Sequence, residues 1–262
     1  MAGGAAETFA RAGARLNGAG TRILYPPIAR LGRRLRSLSR RLRGKQEPPP
    51  PVTRLPAYAW PDVIPARPIY LTETGKRLGN VTPGELAFLA TAAAGVSPGS
   101  EIIEIGTFDG RTTLNLAINS PAQVSVNTLD LPRDTATQFD LVPVERQFVD
   151  KPMSGERFRK AAAPWSAAAA RITQLFGDSA TFDWSPHYGR AGLVFVDGSH
   201  AYDYAKADSE TAFRLLADKG VVIWHDYGVW EGVTRALEEI EASRHLGLRH
   251  VRGTSLVVWR RP

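Results

Sequence analysis

Residues 101–110 read EIIEIGTFDG, residues 193–200 read LVFVDGSH, and residues 221–227 read VVIWHDY. Each stretch is an apolar run, rich in β-branched residues, that stops at a glycine, an acid or a histidine. Ligands of an open α/β sheet bind just beyond the carboxyl ends of its strands. Three strand ends that carry polar residues therefore predict one shared site, with a nucleotide-cofactor pocket beside an acidic reaction centre suited to a metal.

The alternation of strands and helices along the chain predicts the fold class. It indicates an α/β protein with a doubly wound, mostly parallel, seven-stranded sheet that has an antiparallel edge strand. The predicted helices cover 82–96, a stretch from 111 onward, 202–217 and 230–243. The predicted strands cover 101–107, 124–131, 171–176, 192–196 and 220–224, followed by an antiparallel pair at 248–254 and 255–260.

The composition divides the chain into a basic N-terminal arm, residues 1–51, and a domain, residues 52–262. Residues 1–45 contain eleven Lys and Arg against the single acid Glu7, whereas the whole chain has a net charge of +7. The domain is therefore mildly acidic, and its charge gives no reason to expect a nucleic-acid partner. The chain has no cysteine, which excludes disulfides and thiolate metal sites and fits a reducing, cytoplasmic location.

The arm carries a short amphipathic pattern followed by a proline spacer. Five aliphatic residues at spacings of three and four predict a helix with one narrow apolar stripe, made of Ile28, Leu31, Leu35, Leu38 and Leu42. Prolines 48–51 end such a helix and act as a stiff spacer. A basic helix of this kind fits peripheral contact of residues 28–45 with a membrane, a partner helix, mitochondrial targeting or a solvated arm. No run of about 18 apolar residues is present, so no membrane span is expected.

The turn after the first quoted strand has the spacing E-x-G-x-x-x-G, formed by Glu104, Gly106 and Gly110. Glycine at 106 permits a tight turn and a close approach of the backbone to a ligand, and glycine at 110 permits close packing where the next helix begins. Phe108 stands where a dinucleotide-binding loop has its middle glycine, which argues against a pyrophosphate cradle. A purely structural strand-to-helix turn is the alternative.

Two further strand ends carry candidate cofactor contacts. Asp130 lies about 20 residues beyond the glycines, where an acid can hydrogen-bond the paired hydroxyls of a ribose. Asp178 and Ser179 follow the next predicted strand and could meet the edge of an adenine ring. The alternatives are a helix cap for Asp130 and an ordinary turn at 177–179, since Gly-Asp-Ser is typical of turns.

The sharpest set of residues ends the last two quoted stretches. Asp197 and Asp226 end neighbouring predicted strands, so their carboxylates are expected to converge. Two carboxylates completed by waters suit Mg²⁺. His200 is placed to take a proton near neutral pH, whereas His225 is expected to point to the opposite face if the strand pleat persists. A purely structural role for these turns is the alternative.

Taken together, these residues resemble a class I S-adenosylmethionine-dependent methyltransferase. The stretches EIGTFDGRTT, FVDGSHAYDYAKAD and GVVIWHDY are similar to the small O-methyltransferase branch, and within it to the macrocin-type sugar O-methyltransferases. The resemblance spans residues 80–260 and implies a Rossmann-like methyltransferase fold that binds S-adenosylmethionine. It also implies Mg²⁺ as a second cofactor and a small hydroxylated acceptor, for instance one that contains a sugar.

The resemblance implies a cofactor site built from residues of three strand ends. Glu104 and the backbone of Gly106 would hold the methionine portion, Asp130 would hold the ribose, and Asp178 would lie by the adenine. The full set of implied cofactor-binding residues is Glu104, Gly106, Gly110, Asp130, Asp178 and Ser179.

The resemblance also implies the reaction centre. Asp197 and Asp226 match metal-ligand positions of the divalent-metal-dependent members, and His200 stands where such enzymes place the catalytic base. Tyr227 stands where the catechol type has an asparagine ligand, and His225 stands where the macrolide-sugar type has a glutamate. The third protein ligand of the metal is therefore left open.

Two other functions fit the same residues. A hydroxylase-like enzyme could hold iron with Asp197, His200 and Asp226, and a non-catalytic binding protein on this fold could use the basic arm for recruitment. The insertion, defined here as residues 131–170, supplies either acceptor contacts or core packing through its large apolar side chains Phe139, Phe148, Met153 and Phe158. A homo-oligomer is compatible with the sequence, which does not decide the question.

Overall fold

The computed structural model describes residues 49–75 and 77–262. The amphipathic helix predicted in the arm, and the membrane contact predicted for residues 28–45, lie outside these described residues. Within the described part of the chain, no helix combines the length and the apolar composition needed to cross a bilayer.

Across the residues that the structure describes, eight strands form a single sheet: β1 (Ala57–Tyr58), β2 (Glu101–Ile105), β3 (Ser125–Asp130), β4 (Ile172–Phe176), β5 (Ala191–Val196), β6 (Leu216–Trp224), β7 (Arg249–Val251) and β8 (Val257–Arg260). Their order across the sheet is β1-β7-β8-β6-β5-β2-β3-β4. Strands β2 to β6 pair in parallel. The prediction of an α/β protein with a mostly parallel, doubly wound sheet is confirmed.

The sheet differs from the prediction in its strand count and in the place of its antiparallel strand. The predicted pair at 248–254 and 255–260 is present as β7 and β8. However, β8 lies inside the sheet, antiparallel to both β6 and β7, and the eighth strand β1 pairs in parallel with β7 at the edge. A two-residue strand such as β1 is too short to show a period in the sequence.

Seven helices accompany the sheet in the described residues: α1 (Pro83–Ala93), α2 (Arg111–Asn119), α3 (Arg146–Val149), α4 (Glu156–Arg159), α5 (Ser166–Ala169), α6 (Tyr202–Leu215) and α7 (Glu231–Arg244). The start of α1 is fixed by a capping box, because the Thr82 hydroxyl accepts from the N–H of Glu85 and the Glu85 carboxylate accepts from the N–H of Thr82. The short helices α3, α4 and α5 all belong to the insertion.

Helices cover both faces of the sheet, which explains why its strands read as continuous apolar runs. Ile103 and Val194 face the cluster that includes buried residues of α6 and α7. Their neighbours Ile102 and Leu193 face the opposite cluster, which includes buried residues of α1 and α2. The helices therefore hold the strands in place on both sides.

The parallel register brings the strand ends to one edge of the sheet, which we call the carboxyl edge. Ile105 of β2 pairs with Leu129 of β3 and with Val196 of β5, and Val196 pairs with Trp224 of β6. The carboxyl ends of β2, β3, β5 and β6 are therefore aligned, and the residues that follow these strands begin at the same edge of the sheet. This alignment gathers the predicted site residues at the carboxyl edge.

Candidate active site

The turn after β2 and the loop after β5 are in backbone contact at Gly106. The φ of Gly106 is +101°, and a Cβ built at this position would lie 2.0 Å from the carbonyl oxygen of Asp197. Only glycine combines this conformation with so close an approach. Gly106 thus joins the predicted cofactor turn directly to the predicted reaction centre.

Glu104 lies behind this turn. Its Oε2 accepts hydrogen bonds from the hydroxyls of Thr128, at 2.6 Å, and Thr113. Burial raises the pKa of Glu104 to about 8, against the opposing effect of the two threonine hydroxyls. Its side chain is not among those that line the cleft described below, and its hydrogen bonds connect β2 to α2 and β3 in the protein interior.

Gly110 begins α2 in the left-handed conformation, with φ of +79°. A Cβ built there would lie 2.5 Å from Cδ1 of Phe158 and 2.9 Å from Cα of Gly155. The close packing predicted at Gly110 is therefore made by the insertion, whose Phe158 is buried in this contact. Like Glu104, Gly110 does not line the cleft.

A cleft of about 110 Å³ opens at the carboxyl edge. Six of the predicted site residues line it together: Gly106, Asp130, Asp178, Ser179, Asp197 and His200. Asp226 lines an adjoining small pocket, which shares Asp197 and His200 with the cleft. The structure thus brings the residues predicted for the ribose and the adenine into the same cleft as Asp197 and His200, with Asp226 in the adjoining pocket.

Asp130 faces a lysine that the sequence did not single out. Lys151 of the insertion places its Nζ 2.6 Å from Oδ2 of Asp130, and both side chains are largely buried. The other carboxylate oxygen of Asp130 lies 3.4 Å from the N–H of Phe108. The acid predicted to bind a ribose is therefore paired with a cation from the insertion in this structure.

Asp178 also receives a group from the insertion. Its Oδ2 accepts hydrogen bonds from the N–H of Gln138 at 2.5 Å and from the hydroxyl of Tyr204 at 2.8 Å. Its Oδ1 accepts from the N–H of Ala180 at 3.0 Å. The cleft is also lined by aromatic and apolar side chains, among them Leu131, Leu141, Phe148 and Tyr204.

Of the four insertion residues considered for acceptor contacts, only Phe148 lines the cleft. Phe148 lines the cleft and packs edge-on against Phe108, with ring centres 5.7 Å apart. Phe139 packs edge-on against Tyr204 at 5.3 Å. Phe158 is buried core, whereas Met153 is 47% exposed.

Asp197, His225 and Asp226 form a compact cluster of metal-ligand types. One ligand atom from each residue lies within 4.8 Å of the others. Nδ1 of His225 is 2.9 Å from Oδ1 of Asp197 and 3.3 Å from Oδ2 of Asp226. The convergence of the two carboxylates is therefore present, and His225 joins them.

The expectation that His225 points to the opposite face is wrong. Asp226 has a φ of +66°, so the extended pleat ends at this position, and the alternation on which the expectation depended does not continue. The structure therefore places the His225 imidazole beside the two carboxylates, where a third protein ligand of a metal would lie.

Buried charges of opposite sign govern protonation in the cluster. Burial by itself raises the pKa of Asp226, but the charge of His225 and hydrogen bonds from His200 and His225 outweigh it and hold that pKa well below its ordinary range. Burial, aided by repulsion from Asp226, raises the pKa of Asp197. Burial also opposes the charge on His225, yet the attraction of Asp197 and Asp226 raises the pKa of His225 well above its ordinary value.

Glu85 supports the cluster from behind. Its Oε2 lies 3.6 Å from Nε2 of His225, and its Oε1 accepts from both the N–H and the hydroxyl of Ser255, at 2.8 and 2.9 Å. Locally, Glu85 belongs to the capping box that starts α1. In the folded chain the same carboxylate has a second role, because it lies beside the His225 ring and can orient it.

His200 is held between two carboxylates and an indole. Its Nε2 lies 2.7 Å from Oδ2 of Asp226, and its Nδ1 contacts Glu145 of the insertion. The ring stacks on Trp230, with centres 4.5 Å apart and planes inclined by 14°. Burial lowers the pKa of His200, but the hydrogen bonds and charges of Asp226 and Glu145 outweigh it and raise the pKa to about 10.

Glu145 and Lys151 are the main site residues that sequence reasoning missed. Glu145 is buried and its Oε2 accepts from the hydroxyl of Ser199 at 3.0 Å, while its other oxygen contacts the N–H of His200. Both residues lie in an insertion without a regular period. Its sequence carries no signal that would place a particular charge opposite a particular strand end.

Residues 103–227 match the family model of a methyltransferase domain. Comparison with curated proteins gives no match. This match begins within β2 and ends at Tyr227, so it includes the strand ends that form the carboxyl edge from β2 to β6.

Several solved structures are similar to the chain at low sequence identity. The O-methyltransferase from Bacillus cereus in complex with S-adenosylhomocysteine is 18% identical, with a TM-score of 0.47 over 70% of this chain and 83% of that one. TomG from Streptomyces achromogenes, an O-methyltransferase in complex with S-adenosylmethionine, is 19% identical, with a TM-score of 0.47 over 70% and 82%. The S-adenosylhomocysteine-bound methyltransferase PaMTH1 from Podospora anserina is 16% identical, with a TM-score of 0.49 over 70% and 80%.

Proposed function

We propose that the chain, whose residues 103–227 match the model of a methyltransferase domain, is a class I S-adenosylmethionine-dependent methyltransferase that methylates a hydroxyl group of a small hydroxylated acceptor, such as one that contains a sugar. The observation that carries this proposal is the continuity of the cleft. Asp130 and Asp178, proposed for the nucleoside, line the same space as Asp197 and His200, proposed for the reaction.

The cofactor roles follow from where each group points. Asp130 is proposed to bind the ribose hydroxyls, and Asp178 with the backbone at Ser179 the adenine. The backbone of Gly106 is proposed to hold the methionine portion. Glu104, which lies behind the turn, is proposed to shape it, and Gly110 is proposed to act through its packing on Phe158.

The bound cofactor supplies a methyl group on a sulfonium, and the protein must align the acceptor oxygen behind that methyl. Gly106 serves this alignment because it fixes the distance between the cofactor turn and the loop that carries Asp197. The large apolar side chains of the cleft, above all Phe148, exclude water from the path between the two groups.

The residues present fit a divalent cation. Asp197 and Asp226 offer carboxylate oxygens and His225 an imidazole nitrogen within one small volume, and the imidazole makes the donor set softer than the all-oxygen set that Mg²⁺ prefers. We therefore propose Asp197, Asp226 and His225 as the protein ligands of Mg²⁺ or Mn²⁺. Such an ion would lower the pKa of the acceptor hydroxyl and fix its position.

His200 is proposed as the base that takes the hydroxyl proton. With a pKa near 10, its imidazole is protonated at neutral pH while both neighbouring carboxylates bear full charge. His200 can accept a proton only when the charge of Asp226 is compensated from elsewhere. The base role of His200 is thus coupled to occupation of the acidic cluster.

The remaining proposals concern the surroundings of the enzyme. The basic pattern at 28–45 supports peripheral contact with a membrane, and the absence of cysteine supports work in a reducing compartment such as the cytoplasm. A homo-oligomer stays a proposal without a specific surface to support it.

Calorimetric titration of the full chain with S-adenosylhomocysteine, with and without Mn²⁺, tests the proposal. We expect saturable binding of one molecule per chain, and Mn²⁺ binding that does not require the nucleoside. A panel of sugars, catechols and other hydroxylated compounds, followed by release of S-adenosylhomocysteine, then identifies the acceptor. Absence of nucleoside binding at millimolar concentration would contradict the proposed function.

A further inference from the structure

Both ring nitrogens of His225 face carboxylates, and the two sides of the ring differ. Nδ1 lies 2.9 Å from Oδ1 of Asp197 and 3.3 Å from Oδ2 of Asp226, on the side of the proposed ion. Nε2 lies 3.6 Å from Oε2 of the buried Glu85. This separation is that of an ion pair and is longer than an ordinary hydrogen bond. His225 therefore lies between the proposed metal ligands and a buried carboxylate.

Glu85 is held in one orientation by two segments of the chain. Its Oε2 accepts from the N–H of Thr82 at 2.8 Å. Its Oε1 accepts from the N–H and the hydroxyl of Ser255, at 2.8 and 2.9 Å. Thr82 directly precedes α1 and Ser255 lies just before β8. With three donors on its oxygens, the carboxylate has little freedom to turn away from His225.

The start of a helix does not by itself account for the burial of Glu85. The glutamate of a capping box needs only to reach the N–H of the cap residue, and glutamates are almost never fully buried unless they are paired. Burial raises the pKa of Glu85, but the interaction with His225, together with the hydrogen bonds from Ser255 and Thr82, outweighs it and holds that pKa well below its ordinary range. His225 is therefore the partner that compensates this buried charge.

The imidazole of His225 is also fixed from other directions. Its backbone N–H donates to the carbonyl of Val196 in β5 at 3.0 Å. Its ring packs against that of Phe195, with ring centres 6.3 Å apart, and its side chain is only 9% exposed. Packing and partners of this kind hold a ligand side chain in place before an ion binds.

The position of Glu85 decides which nitrogen of His225 is available to a metal. A neutral imidazole carries one proton, and the nitrogen without the proton supplies the lone pair that binds a metal ion. The negative charge of Glu85 favours the tautomer with the proton on Nε2. That tautomer directs the lone pair of Nδ1 toward Asp197 and Asp226. A carboxylate behind a metal-binding histidine fixes its tautomer and raises its basicity as a ligand.

We propose that Glu85 is a positioning residue through which the site formed by Asp197, Asp226 and His225 selects a transition metal ion, such as Fe²⁺, Co²⁺ or Zn²⁺, over Mg²⁺. This inference rests on the metal site proposed above and specifies its ion. Imidazole nitrogen suits first-row transition metals, whereas Mg²⁺ prefers oxygen ligands and keeps several of its waters. An oriented imidazole as third ligand therefore adds affinity for the transition metals and little for Mg²⁺.

Metal titration of the full chain tests the selectivity. The wild type, Glu85→Gln and Thr82→Ala are titrated calorimetrically with Co²⁺ and with Mg²⁺ at one fixed pH. Glu85→Gln keeps the size of the side chain and removes its charge. We expect it to weaken Co²⁺ binding by about 10- to 100-fold and Mg²⁺ binding by at most about threefold.

Thr82→Ala is the matched control, because it removes the hydroxyl half of the same capping box and leaves the contact between Glu85 and His225 in place. It should change neither affinity. Equal losses for the two ions in Glu85→Gln would mean that Glu85 acts on the fold alone, and they overturn the inference. A loss of Co²⁺ affinity in Thr82→Ala as large as that in Glu85→Gln overturns it as well.

A second variant covers the case in which circular dichroism shows that Glu85→Gln does not fold. Ser255→Ala keeps the charge of Glu85 and removes one of the hydrogen bonds that orient it. We expect Co²⁺ binding to weaken by about two- to fivefold, with Mg²⁺ binding unchanged. Unchanged Co²⁺ binding in this variant, when Glu85→Gln is unfolded, contradicts the positioning role.

Pulsed electron paramagnetic resonance of the chain loaded with Mn²⁺ tests the imidazole directly. We expect spin-echo modulation from a directly bound nitrogen in the wild type and in Thr82→Ala, and its loss in His225→Asn. Absence of this modulation in the wild type, or its persistence in His225→Asn, overturns the inference without any variant of Glu85.

S-adenosylhomocysteine titration of the same preparations without metal tests the methyl-transfer proposal separately. Nucleoside binding, combined with the same preference between Co²⁺ and Mg²⁺ in the wild type and in Glu85→Gln, overturns only this inference. The expected metal selectivity without nucleoside binding overturns only the proposed reaction.

Discussion

The strand ends and the insertion contribute to the site in different ways. Asp130, Asp197 and the residues after β6 are placed by strand register, which the packed helices on both faces hold in position. The insertion has short helices and turns, yet it supplies partners for Asp130, Asp178 and His200. The contrast shows that the sheet sets where charges lie, and the insertion sets what those charges meet.

The partners from the insertion follow the site from one end to the other. Gln138 donates to Asp178, Lys151 pairs with Asp130, and Glu145 contacts His200. A cofactor that binds Asp130 through ribose hydroxyls competes with the pairing made by Lys151. If Asp130 holds the ribose hydroxyls as proposed, we expect the Lys151 side chain to move away from Asp130 when the cofactor binds.

The largest effect is expected at the strand ends of the reaction centre. Asp197→Asn or Asp226→Asn removes a charged ligand from the cluster, and we expect Mn²⁺ affinity to fall by about 100-fold or more, since even outer partners of a metal cost about 10–100-fold. Electron paramagnetic resonance of free Mn²⁺ measures this directly. The control Asp218→Asn changes an exposed acid near the amino end of β6 and should leave the Mn²⁺ affinity unchanged. If the control lost as much Mn²⁺ affinity as the Asp197 and Asp226 variants, the proposed ion site would be contradicted.

A slightly smaller effect is expected at the strand end proposed for the ribose. Asp130→Ala loses charge-assisted hydrogen bonds worth about 1.5–3 kcal/mol, so the Kd for S-adenosylhomocysteine should rise by about 10- to 100-fold. Asp134→Ala changes an exposed acid four residues away and serves as the control. Calorimetry that finds unchanged affinity for Asp130→Ala would mean that the nucleoside lies elsewhere.

Asp208 of α6 is a buried acid beside the loop that follows β5, and its titration is expected to make the stability of the protein depend on pH. It is fully buried, a Cβ built on Gly198 would lie 3.1 Å from its Oδ2, and burial raises its pKa to about 7, against the opposing effect of the Ser179 hydroxyl. An acid whose pKa is raised by folding binds a proton that the unfolded chain has already lost. The free energy of unfolding should therefore fall as pH rises from about 4 to about 7.

Asp208→Asn keeps the shape and removes this titration. We expect it to stabilise the protein by roughly 1–2 kcal/mol at pH 8, with a smaller gain at pH 5, because the unpaired charge costs about that much when buried. Urea unfolding at both pH values measures the difference. The exposed Asp203→Asn in the same helix should show no such dependence, and a loss of stability at pH 8 in Asp208→Asn would show that the native state uses the charge.

The smallest effect is expected in the insertion. Lys151→Met removes the cation that occupies Asp130, and we expect S-adenosylhomocysteine to bind about three- to tenfold more tightly, a gain of up to ~1.4 kcal/mol. Lys160→Met, at an exposed lysine of the same insertion, is the matched control. Weaker binding in Lys151→Met alone would mean that the lysine belongs to the bound state, and the insertion would then contribute contacts to the cofactor.

Much of the strand-end half of the site was predictable from the sequence. An apolar run that stops at a polar residue identifies a strand end, and parallel pairing places such ends at one edge. This logic placed Gly106, Asp130, Asp178, Asp197 and His200 around one cleft, as found. It failed at His225 because a single left-handed residue, Asp226, ends the alternation that it assumes.

The insertion half was not predictable in the same way. Lys151 and Glu145 act through contacts with strand ends more than 20 and 50 residues away in sequence, and no period in residues 131–170 indicates such partners. Glu85 is a similar case, because its local signal is a helix cap and its contact with His225 exists only in the folded chain.

The sequence by itself determined the α/β class, the parallel core of the sheet and the edge at which the acids gather. These properties depend on local hydrophobic patterns and on the geometry of parallel strands, which repeat in every such sheet. Only the tertiary structure decided that His225 joins the two aspartates, that Glu145 holds His200, and that Lys151 covers Asp130. Those pairings depend on distances between segments remote in sequence, which local patterns do not encode.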